Sequence, residues 1–306
     1  MSEIKSSSIH NLNADRGLSF FEKPVYLFLN FLNNLFPYTY IDPRLNIKHW
    51  SGEHWREIWA KTYPDSSPSR KLSDLFWRTL SWQKIKNELG EINIFDTGCG
   101  QGNYGVRIGE GSGWIISSYT GIDAKRRPNW DNLKKEHPNF NFIESNSNDI
   151  SSLIPLKTNL FVTQSAIEHF DNDLLFFKQI RNFVERQNKP IIQIHLFPAG
   201  STLFLYLFHG LRQYTPRTIS KITKLFSDNS KFYLYGLGGP KGKWLHFKYF
   251  TWPVLILRKF KKPTFEVSEY EPKLKKAIEH DINNPSKSPI FWALIIQSNP
   301  IRQIWK

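Results

Sequence analysis

The feature that most constrains the fold of this chain is a glycine-rich turn between a predicted strand and a predicted helix. Residues Ile92–Asp96 (INIFD) are short, β-rich and largely apolar, which predicts a buried strand. The turn that follows has glycines at positions 98, 100 and 102, and a helix is predicted to begin near Asn103. Glycine lets the backbone approach a ligand where a Cβ would clash, and a helix N-terminus offers N–H groups to an anion. The segment therefore predicts an α/β chain that holds a ligand where a strand ends.

The rest of the chain also favours an α/β sheet, because short apolar segments alternate with helical or loop stretches from about residue 91. The clearest helix is predicted over Asn172–Arg186, and another over Arg217–Phe226. Seven strands with intervening helices are typical of a sheet that is covered on both faces. We therefore expect an α/β, Rossmann-like fold with a seven-stranded sheet. Besides Ile92–Asp96, the predicted strands are Tyr119–Asp123, Phe140–Ile143, Leu160–Thr163, Ile191–His195, Lys231–Tyr235 and Phe291–Ser298.

Two acids next to the turn indicate the chemistry of the ligand. A dinucleotide fingerprint would have a third glycine at position 103, where this chain has Asn103. Asp96 instead precedes the turn, where a carboxylate would meet a cationic ammonium group. Asp123 ends the next predicted strand, where a carboxylate can bind both hydroxyls of a ribose. A ligand with an ammonium group, a carboxylate and an unphosphorylated ribose fits both acids, and S-adenosylmethionine is such a ligand.

With these features the sequence resembles the class I S-adenosylmethionine-dependent methyltransferases, over about residues 90–200 and loosely over the C-terminal strands. The resemblance implies that Asp96 and the three glycines hold the methionine end of the cofactor and that Asp123 binds the ribose. It implies that Asn148–Ile150 forms the adenine site, with Asp149 toward the exocyclic amine and Ile150 against the ring. Gln164–Phe170 (QSAIEHF) is similar to the segment that lines the methyl-transfer cleft. The implied cofactor-binding residues are Asp96, Gly98, Gly100, Gly102, Asp123, Asp149, Ile150 and Gln164.

The same resemblance implies S-adenosyl-L-methionine as cofactor, S-adenosyl-L-homocysteine as product and an acceptor held in line with the leaving sulfur. An alcohol acceptor must also lose a proton, and histidine is the usual recipient near neutral pH. His169 lies in the cleft segment and is the first candidate for this base. Glu168, His195 and His209 are the other candidates.

A metal site is not expected. Some relatives carry an E-x-x-E-H segment and bind a divalent cation through it. Here Ser165 stands at the first position, which removes one hard oxygen ligand and its charge. Glu168 and His169 would be the surviving ligands.

The positive charge of the chain is concentrated near its C-terminal end. The formal net charge is +14, and residues 201–306 carry 18 basic and 6 acidic side chains. Within them, Lys241–Lys262 holds seven Lys or Arg, six aromatic residues and no acid. This pattern favours contact with an anionic partner such as membrane headgroups, a phosphorylated lipid carrier or nucleic acid. The alternative is a solvated basic face whose aromatic side chains pack inward.

The sequence divides into three parts. Residues 1–16 are polar and predict a disordered tail; residues 17–88 predict a helical, aromatic-rich cap; residues 89–306 predict the methyltransferase core, with an insertion at about 236–288. In the cap, apolar residues recur at helical spacing from Pro24 to Phe36 and asparagines lie on the other side of that helix. We expect the apolar stripe to pack against the main body, with a membrane surface as the alternative.

The acceptor is the least constrained part of the prediction. Thr163–Phe170 lacks the D/N-P-P-Y/F segment of base N-methyltransferases, so nucleic acid is the less favoured acceptor. The overall organisation resembles methyltransferases for bacterial surface polysaccharides, which implies a sugar hydroxyl or phosphate on a glycan or lipid-linked acceptor. The alternatives are RNA, a small metabolite such as a quinone or lipid, and a non-catalytic cofactor-binding module. The N-terminus has no apolar run of the secretory type, so we expect a cytoplasmic protein, either free or peripheral to the inner face of the membrane.

Overall fold

The structure is a computed structural model that describes residues 5–257 and 265–305. The strands are β1 (Leu45–His49), β2 (Asn93–Thr97), β3 (Ser118–Asp123), β4 (Phe140–Glu144), β5 (Leu160–Gln164), β6 (Ile191–Pro198), β7 (Ser230–Leu237) and β8 (Phe291–Ser298). They form one sheet in the order β1-β7-β8-β6-β5-β2-β3-β4. Strand β8 is antiparallel to β6 and β7, and every other neighbouring pair is parallel.

The helices of the described residues lie mostly between these strands. They are α1 (Glu22–Leu35), α2 (Trp55–Ile58), α3 (Pro68–Thr79), α4 (Trp82–Leu89), α5 (Asn103–Ser112), α6 (Trp130–Glu136), α7 (Asp173–Gln187), α8 (Pro216–Thr223), α9 (Pro240–His246), α10 (Trp252–Leu257) and α11 (Val267–Asn283). A π-helical segment, Phe247–Thr251, joins α9 to α10.

Helices cover both faces of the sheet because the strands are apolar on both faces. Successive strand residues belong to opposite clusters, as Ile94 and Phe95 of β2 do. Side chains of α3, α4, α5, α6 and α11 pack on one face, and side chains of α7 and α8 pack on the other. The expected Rossmann-like α/β class is confirmed.

The sheet has eight strands rather than the seven that were expected. The additional strand, β1, lies within residues 17–88, which were expected to be helical. It pairs in parallel with β7, so that Leu45 lies opposite Phe232. Its sequence, LNIKH, alternates apolar and polar residues over only four positions. The strand pairs the backbone groups of β7 and becomes the edge of the sheet itself.

The N-terminal segment differs from the disordered tail that was expected. Residues 5–16 cross the carboxyl ends of the strands, and residues 1–4 lie outside the described residues. The backbone N–H and the hydroxyl of Ser7 donate to the two carboxylate oxygens of Asp173, at 2.7 and 2.5 Å. Asp173 is fully buried and also pairs with the guanidinium of Arg212 at 3.1 Å. A buried carboxylate needs such partners, and the polar composition of the segment supplies two of them.

Helix α1 packs on the protein through its polar face. The prediction that its apolar stripe packs against the main body is therefore wrong. Tyr26, Asn30 and Asn33 face the protein and are buried. The apolar residues of the helix face outward, Phe28 and Phe31 among them. The inward face is stabilised by polar contacts: the Tyr26 hydroxyl donates to the carbonyl of residue 209 at 3.0 Å, and the Asn33 side chain accepts the N–H of residue 9 at 3.2 Å.

The remaining cap residues and the insertion form one wall of the molecule. Tryptophans 55, 59, 77 and 82 are buried in the core. In the insertion, Asp281 of α11 accepts the backbone N–H groups of Lys241 and Gly242 at the start of α9, at 3.1 and 2.7 Å. An acid at a helix N-terminus is electrostatically favourable. Among the described residues, the structure has no helix with the length and apolarity needed to cross a bilayer.

Candidate functional site

A cavity of about 830 Å³ lies at the carboxyl ends of β2, β3, β4 and β5 and is called the strand-end cavity below. It is lined by the loops that follow these four strands and by the N-terminal segment. Parallel sheets bind ligands at this edge because the loops and helix N-termini converge there. The volume is within the range of sites for small ligands and cofactors.

The glycines of the turn are required for two different structural reasons, close packing and space at the cavity wall. Gly98, Gly100 and Gly102 have φ values of +78°, +53° and +81°, a region that L-residues with a Cβ avoid. A Cβ at Gly98 would lie 2.5 Å from the Cβ of Ala166, and one at Gly102 would lie 2.7 Å from Cδ1 of Leu133. No described atom lies within 4 Å of the Cβ position at Gly100, which lines the strand-end cavity. Gly98 and Gly102 therefore allow close packing, and Gly100 leaves space for a ligand.

Asp123 is placed as the sequence predicted, at the end of β3 and in the lining of the cavity. One carboxylate oxygen accepts the N–H of Gly100 at 3.0 Å. The other accepts the N–H of Lys125 at 3.2 Å and the guanidinium of Arg127 at 3.0 Å. These bonds fix the orientation of the carboxylate at the edge of the cavity. Its role toward a ribose stays a prediction.

Asp96 is not in the lining of the strand-end cavity, contrary to the expected contact with an ammonium group. It is 1% exposed, and one oxygen accepts the hydroxyl of Tyr119 at 2.6 Å. Its other oxygen has no hydrogen-bond partner among the described residues. Burial raises the pKa of Asp96 to about 7, with the charge of Asp123 adding to it. The contact of Asp96 with the ammonium group of a ligand stays a prediction.

The expected adenine contacts are displaced along the chain. Asp149 is exposed, Ile150 is buried, and neither lines the strand-end cavity. The N–H of Ile150 donates to the side-chain oxygen of Gln179 at 2.7 Å, which turns this residue toward α7. Residues 145–148, which directly follow β4, line the cavity in their place. Of the implied adenine segment Asn148–Ile150, Asn148 lines the cavity, and the roles of Asp149 and Ile150 toward adenine stay predictions.

The side chain of Gln164 is hydrogen-bonded to the cap. Its side-chain oxygen accepts the indole N–H of Trp77 at 2.9 Å, and its amide donates to the hydroxyl of Ser73 at 3.2 Å. Both partners belong to α3. The prediction that Gln164 binds the cofactor therefore disagrees with its position, which joins the end of β5 to the cap.

A second cavity, of about 240 Å³, lies between α3 and the segment that follows β6 and is called the cap-side cavity below. It is lined by hydroxyls of the cap, including Ser69 and Ser73, and by Arg70. Ser165 and His169 line both this cavity and the strand-end cavity, so the two spaces meet at these residues. A molecule that donates a chemical group from one cavity and a molecule that accepts it in the other would therefore meet at Ser165 and His169.

Glu168 lines the cap-side cavity and is 1% exposed. Neither of its carboxylate oxygens has a hydrogen-bond partner among the described residues. Burial raises its pKa to about 7, against the lowering effect of the His169 charge. A buried carboxyl with free oxygens requires a proton, a cation or a substrate group as partner.

His169 is the centre of the polar cluster at the junction of the two cavities. Its Nδ1 is hydrogen-bonded to Asp15, and its Nε2 lies 3.9 Å from a carboxylate oxygen of Glu168. Burial lowers the pKa of His169, but the hydrogen bond to Asp15 and the charges of Glu168 and Asp15 outweigh it and the pKa is raised. His209 contacts His169 edge to face, with ring centroids 4.6 Å apart, and burial lowers its pKa to about 4. His169 is therefore the histidine of this pair that is suited to accept a proton near neutral pH.

His195 does not belong to this cluster, and its assignment as a catalytic residue is corrected. The side chain is completely buried in the sheet, where Nδ1 is paired with the hydroxyl of Thr163 at 2.9 Å. Its ring lies 4.9 Å from that of Phe177. Burial lowers the pKa of His195 to about 3. It lines neither cavity, so it acts as a core residue.

The cluster also has the geometry of a cation site, which the sequence did not predict. Glu168, His169 and His209 each offer one ligand atom, and these atoms lie within 4.8 Å of one another. Two imidazoles and a carboxylate are ligands that Zn²⁺ accepts. The expectation of no metal stays a prediction, and a chelation experiment below tests it.

Sequence reasoning missed three residues of the N-terminal segment that line the strand-end cavity: Asn13, Asp15 and Arg16. Asn13 donates to the carbonyl of His169 at 3.2 Å, and the N–H of Ala14 donates to the carbonyl of Gly210 at 2.8 Å. A polar segment with no periodicity carries no signal for this placement. The pairing of Asp15 with a histidine more than 150 residues away depends on the tertiary fold alone.

A third, apolar groove of about 270 Å³ adjoins the cap-side cavity. The two share Tyr206, His209 and His246. The groove continues along Leu207, Phe208, Phe250 and Val254. A polar cavity that opens into an apolar groove fits a ligand with a polar end and an apolar end.

The basic segment Lys241–Lys262 lies partly outside the described residues, because residues 258–262 belong to the undescribed stretch. Within the described part, Lys241 and Lys248 are exposed. Lys243 is buried, and its ammonium donates to the hydroxyls of Ser201 and Ser288. The proposed contact of this segment with an anionic partner stays a prediction.

The chain matches no protein-family model and no curated protein sequence. Solved structures resemble it at low identity. The plantazolicin methyltransferase BamL, bound to a triazolic desmethylPZN analog and SAH, is 14% identical, with 91% of this chain and 97% of that chain covered and a TM-score of 0.43. A SAM-dependent methyltransferase from Archaeoglobus fulgidus is 16% identical, with 80% and 99% covered and a TM-score of 0.43. Likeness at this level carries no information about the reaction of this chain.

Proposed function

We propose that the chain is an S-adenosylmethionine-dependent methyltransferase that O-methylates a sugar or phosphate group of a glycan or lipid-linked acceptor. The observation that carries the proposal is the meeting of two cavities at Ser165 and His169. One cavity has the glycine turn and strand-end acid that suit the cofactor. The other contains the hydroxyl-rich lining and the acid–histidine cluster that suit an acceptor.

The residues of the strand-end cavity fit the cofactor. Gly100 leaves open space at the cavity wall, and Asp123 presents a fixed carboxylate within reach of hydroxyl groups. Asn146 and Asn148 line the part that follows β4 and offer amide groups to a base. When bound, S-adenosylmethionine supplies a methyl group that its sulfonium has already activated.

The chain then has to orient the acceptor and take its proton. Asp15 holds Nδ1 of His169, which leaves Nε2, on the Glu168 side, as the atom that accepts a hydroxyl proton. A cofactor held at Gly100 and Asp123 would supply the methyl group to the acceptor oxygen, and Nε2 of His169 would accept the hydroxyl proton. The negative charges of Asp15 and Glu168 stabilise the imidazolium that results, as the raised pKa of His169 indicates.

The lining of the cap-side cavity supports the proposed acceptor class. Ser69 and Ser73 can hydrogen-bond sugar hydroxyls, and Arg70 can bind a phosphate as a charged, forked donor. The adjoining apolar groove gives a path for a hydrocarbon chain. These features together favour an acceptor with a polar head and a lipid tail over an RNA segment.

Calorimetric titration with S-adenosylhomocysteine tests the cofactor assignment. We expect binding by the wild type, weakened binding by Asp123→Ala and unchanged binding by Asp149→Ala, because Asp149 is exposed and outside the cavity. Equal loss in both variants would mean that the adenine end extends along Asn148–Ile150 as the family resemblance implies. No loss in either would remove the strand-end cavity as the cofactor site.

Radiolabelled methyl transfer tests the reaction. Lipid-linked sugars, quinones and total RNA are supplied in parallel, and His169→Ala is expected to lower turnover far more than affinity for S-adenosylhomocysteine. RNA affinity should fall with salt by about 0.7 log units per log unit of salt for each phosphate contacted, whereas affinity for an uncharged sugar should hardly change. Binding of the cofactor without transfer to any acceptor class would favour a non-catalytic module.

A further inference from the structure

Helix α1 presents an apolar face to the outside and a polar face to the protein. Phe21, just before the helix, is 81% exposed, and Phe28 is 60% exposed. Val25, Phe31 and Leu35 lie on the same outward side and are exposed too. A surface helix of a globular protein normally buries such a face. Contiguous exposed apolar residues mark a binding surface rather than a solvated one.

The orientation of α1 is fixed by specific polar contacts. The amide of Asn34 donates to the carbonyl of Gly200 at 3.2 Å, and the Tyr26 hydroxyl donates to the carbonyls of residues 209 and 210 at 3.0 and 3.1 Å. The Asn33 side chain accepts the N–H of Ile9. Rolling the helix to bury its phenylalanines would leave these buried polar groups without partners, at a cost of about 1–3 kcal/mol each. These contacts therefore hold the apolar face of α1 outward.

Aromatic side chains of two other segments extend this face. The ammonium of Lys23 in α1 lies 5.6 Å from the ring of Phe208, which connects the helix to the segment after β6. In the same segment Phe204 contacts Phe247 with ring centroids 6.2 Å apart. Phe247 in turn contacts Trp244 and Trp252, which are 63% and 52% exposed. We call this set the apolar patch: Phe21, Val25, Phe28, Phe31, Leu35, Phe204, Phe208, Trp244 and Trp252.

The charges around the apolar patch are complementary to an anionic surface. Lys23 in α1, and Lys241 and Lys248 near Trp244 in the sequence, are exposed, and Glu22 is the acid in the first turn of α1. No acid occurs from Lys241 to Leu257. A basic side chain near an anionic bilayer contributes about 1 kcal/mol to binding. Trp is enriched at the level of the headgroups, and Trp and Phe are typical of the apolar face of interfacial helices.

The length of α1 indicates how it would meet a bilayer. Fourteen residues correspond to about 21 Å of helix, which is too short to cross a hydrocarbon core of about 30 Å. An amphipathic helix of this kind lies in the plane of the interface with its apolar side in the acyl boundary. We propose that the apolar patch docks the protein on an anionic lipid bilayer, with α1 parallel to the membrane plane.

The position of the patch also links the bilayer to the cavities. Phe208 belongs to both the patch and the apolar groove, and the groove shares Tyr206 and His209 with the cap-side cavity. A lipid-linked acceptor could thus enter from the membrane with its head toward His169. This route rests on the function proposed above, whereas docking itself does not.

Vesicle co-sedimentation tests the docking proposal. The full chain is mixed with phosphatidylcholine vesicles and with vesicles that also contain phosphatidylglycerol. We expect preferential binding to the anionic vesicles and a loss of about tenfold or more in the partition coefficient of Phe21→Ser/Phe28→Ser. The matched control is Leu156→Ser/Ile301→Ser, which removes two equally exposed apolar side chains at the opposite edge of the sheet and should bind as the wild type does.

The same variants separate docking from catalysis and from misfolding. Phe21→Ser/Phe28→Ser should bind S-adenosylhomocysteine and unfold thermally as the wild type does, since both side chains are exposed. Lys241→Glu/Lys248→Glu should lower binding to the anionic vesicles only. The proposal would be overturned if Phe21→Ser/Phe28→Ser sedimented with anionic vesicles to the same extent as the wild type. The proposal would also be overturned if the wild type did not bind vesicles and instead formed a dimer that Phe21→Ser/Phe28→Ser abolished. The patch would then be a protein interface.

Discussion

The buried carboxyl of Glu168 allows a quantitative prediction about stability and pH. Its pKa is raised from 4.5 to about 7 by burial. At about 1.4 kcal/mol per pKa unit, this difference corresponds to about 3 kcal/mol. Between the two values the folded chain binds more protons than the unfolded chain, so the free energy of unfolding falls as the pH rises. The loss is complete once the pH exceeds the pKa of the folded state.

Glu168→Gln removes this titration while it keeps the shape of the side chain. We expect the difference in unfolding free energy between variant and wild type to increase by about 3 kcal/mol, in favour of the variant, from about pH 4 to about pH 8.5. A buried amide without partners adds its own cost, but that cost does not depend on pH and cancels in the comparison. The variant should also lose turnover, because the substitution removes a charge beside the proposed base.

Urea unfolding at several pH values, analysed by linear extrapolation, measures this effect. EDTA is present throughout, so that no cation neutralises the carboxylate. Glu185→Gln is the matched control, since it makes the same substitution at an exposed glutamate that lines neither cavity. A difference between Glu168→Gln and wild type that is the same at both ends of the pH range would refute the assignment of a perturbed pKa to Glu168.

Three further predictions concern the same site. Asp15→Asn should lower the pKa of His169, since Asp15 raises it, and should move the acidic limb of the pH–rate profile to lower pH; an unmoved limb would mean that another group is the base. Gly100→Ala should weaken binding of S-adenosylhomocysteine, whereas Gly113→Ala, with a similar positive φ and open space outside the cavity, should cost only stability; equal affinities would place the ligand elsewhere. EDTA should leave turnover unchanged, and a loss restored by added Zn²⁺ or Mn²⁺ would assign Glu168 and its two histidines to a metal.

The core of the fold could be predicted because its signals are local. Strand β8 begins and ends where the sequence placed it, and the predicted starts of β2 and β3 differ from the observed ones by one residue. Apolar runs and glycines act through the nearest neighbours of a residue, so a single sequence contains them. Strand β1 carries an alternating pattern of only four residues, and its partner β7 is almost 200 residues away in the sequence.

The site was predicted in part for the same reason. Asp123 and His169 line the strand-end cavity because their positions relative to strand ends are set by the local strand–loop pattern. Asp96, Asp149 and His195 do not line that cavity, although the sequence placed all three in the site. The surroundings of a side chain near the end of a strand depend on contacts such as that between Asp96 and Tyr119 of the neighbouring strand, which no spacing rule describes.

The reversed packing of α1 shows where hydrophobic periodicity stops being informative. The period correctly identifies which residues share a face, since Val25, Phe28 and Leu35 do lie together. It does not determine which face meets the protein, because that depends on the surface available. Here the neighbouring surface offers backbone carbonyls, and Asn34 and Tyr26 satisfy them better than phenylalanine could. An asparagine-rich face opposite an aromatic face therefore indicates a helix with two partners. The asparagine face packs on a polar protein surface, and the aromatic face contacts an apolar partner.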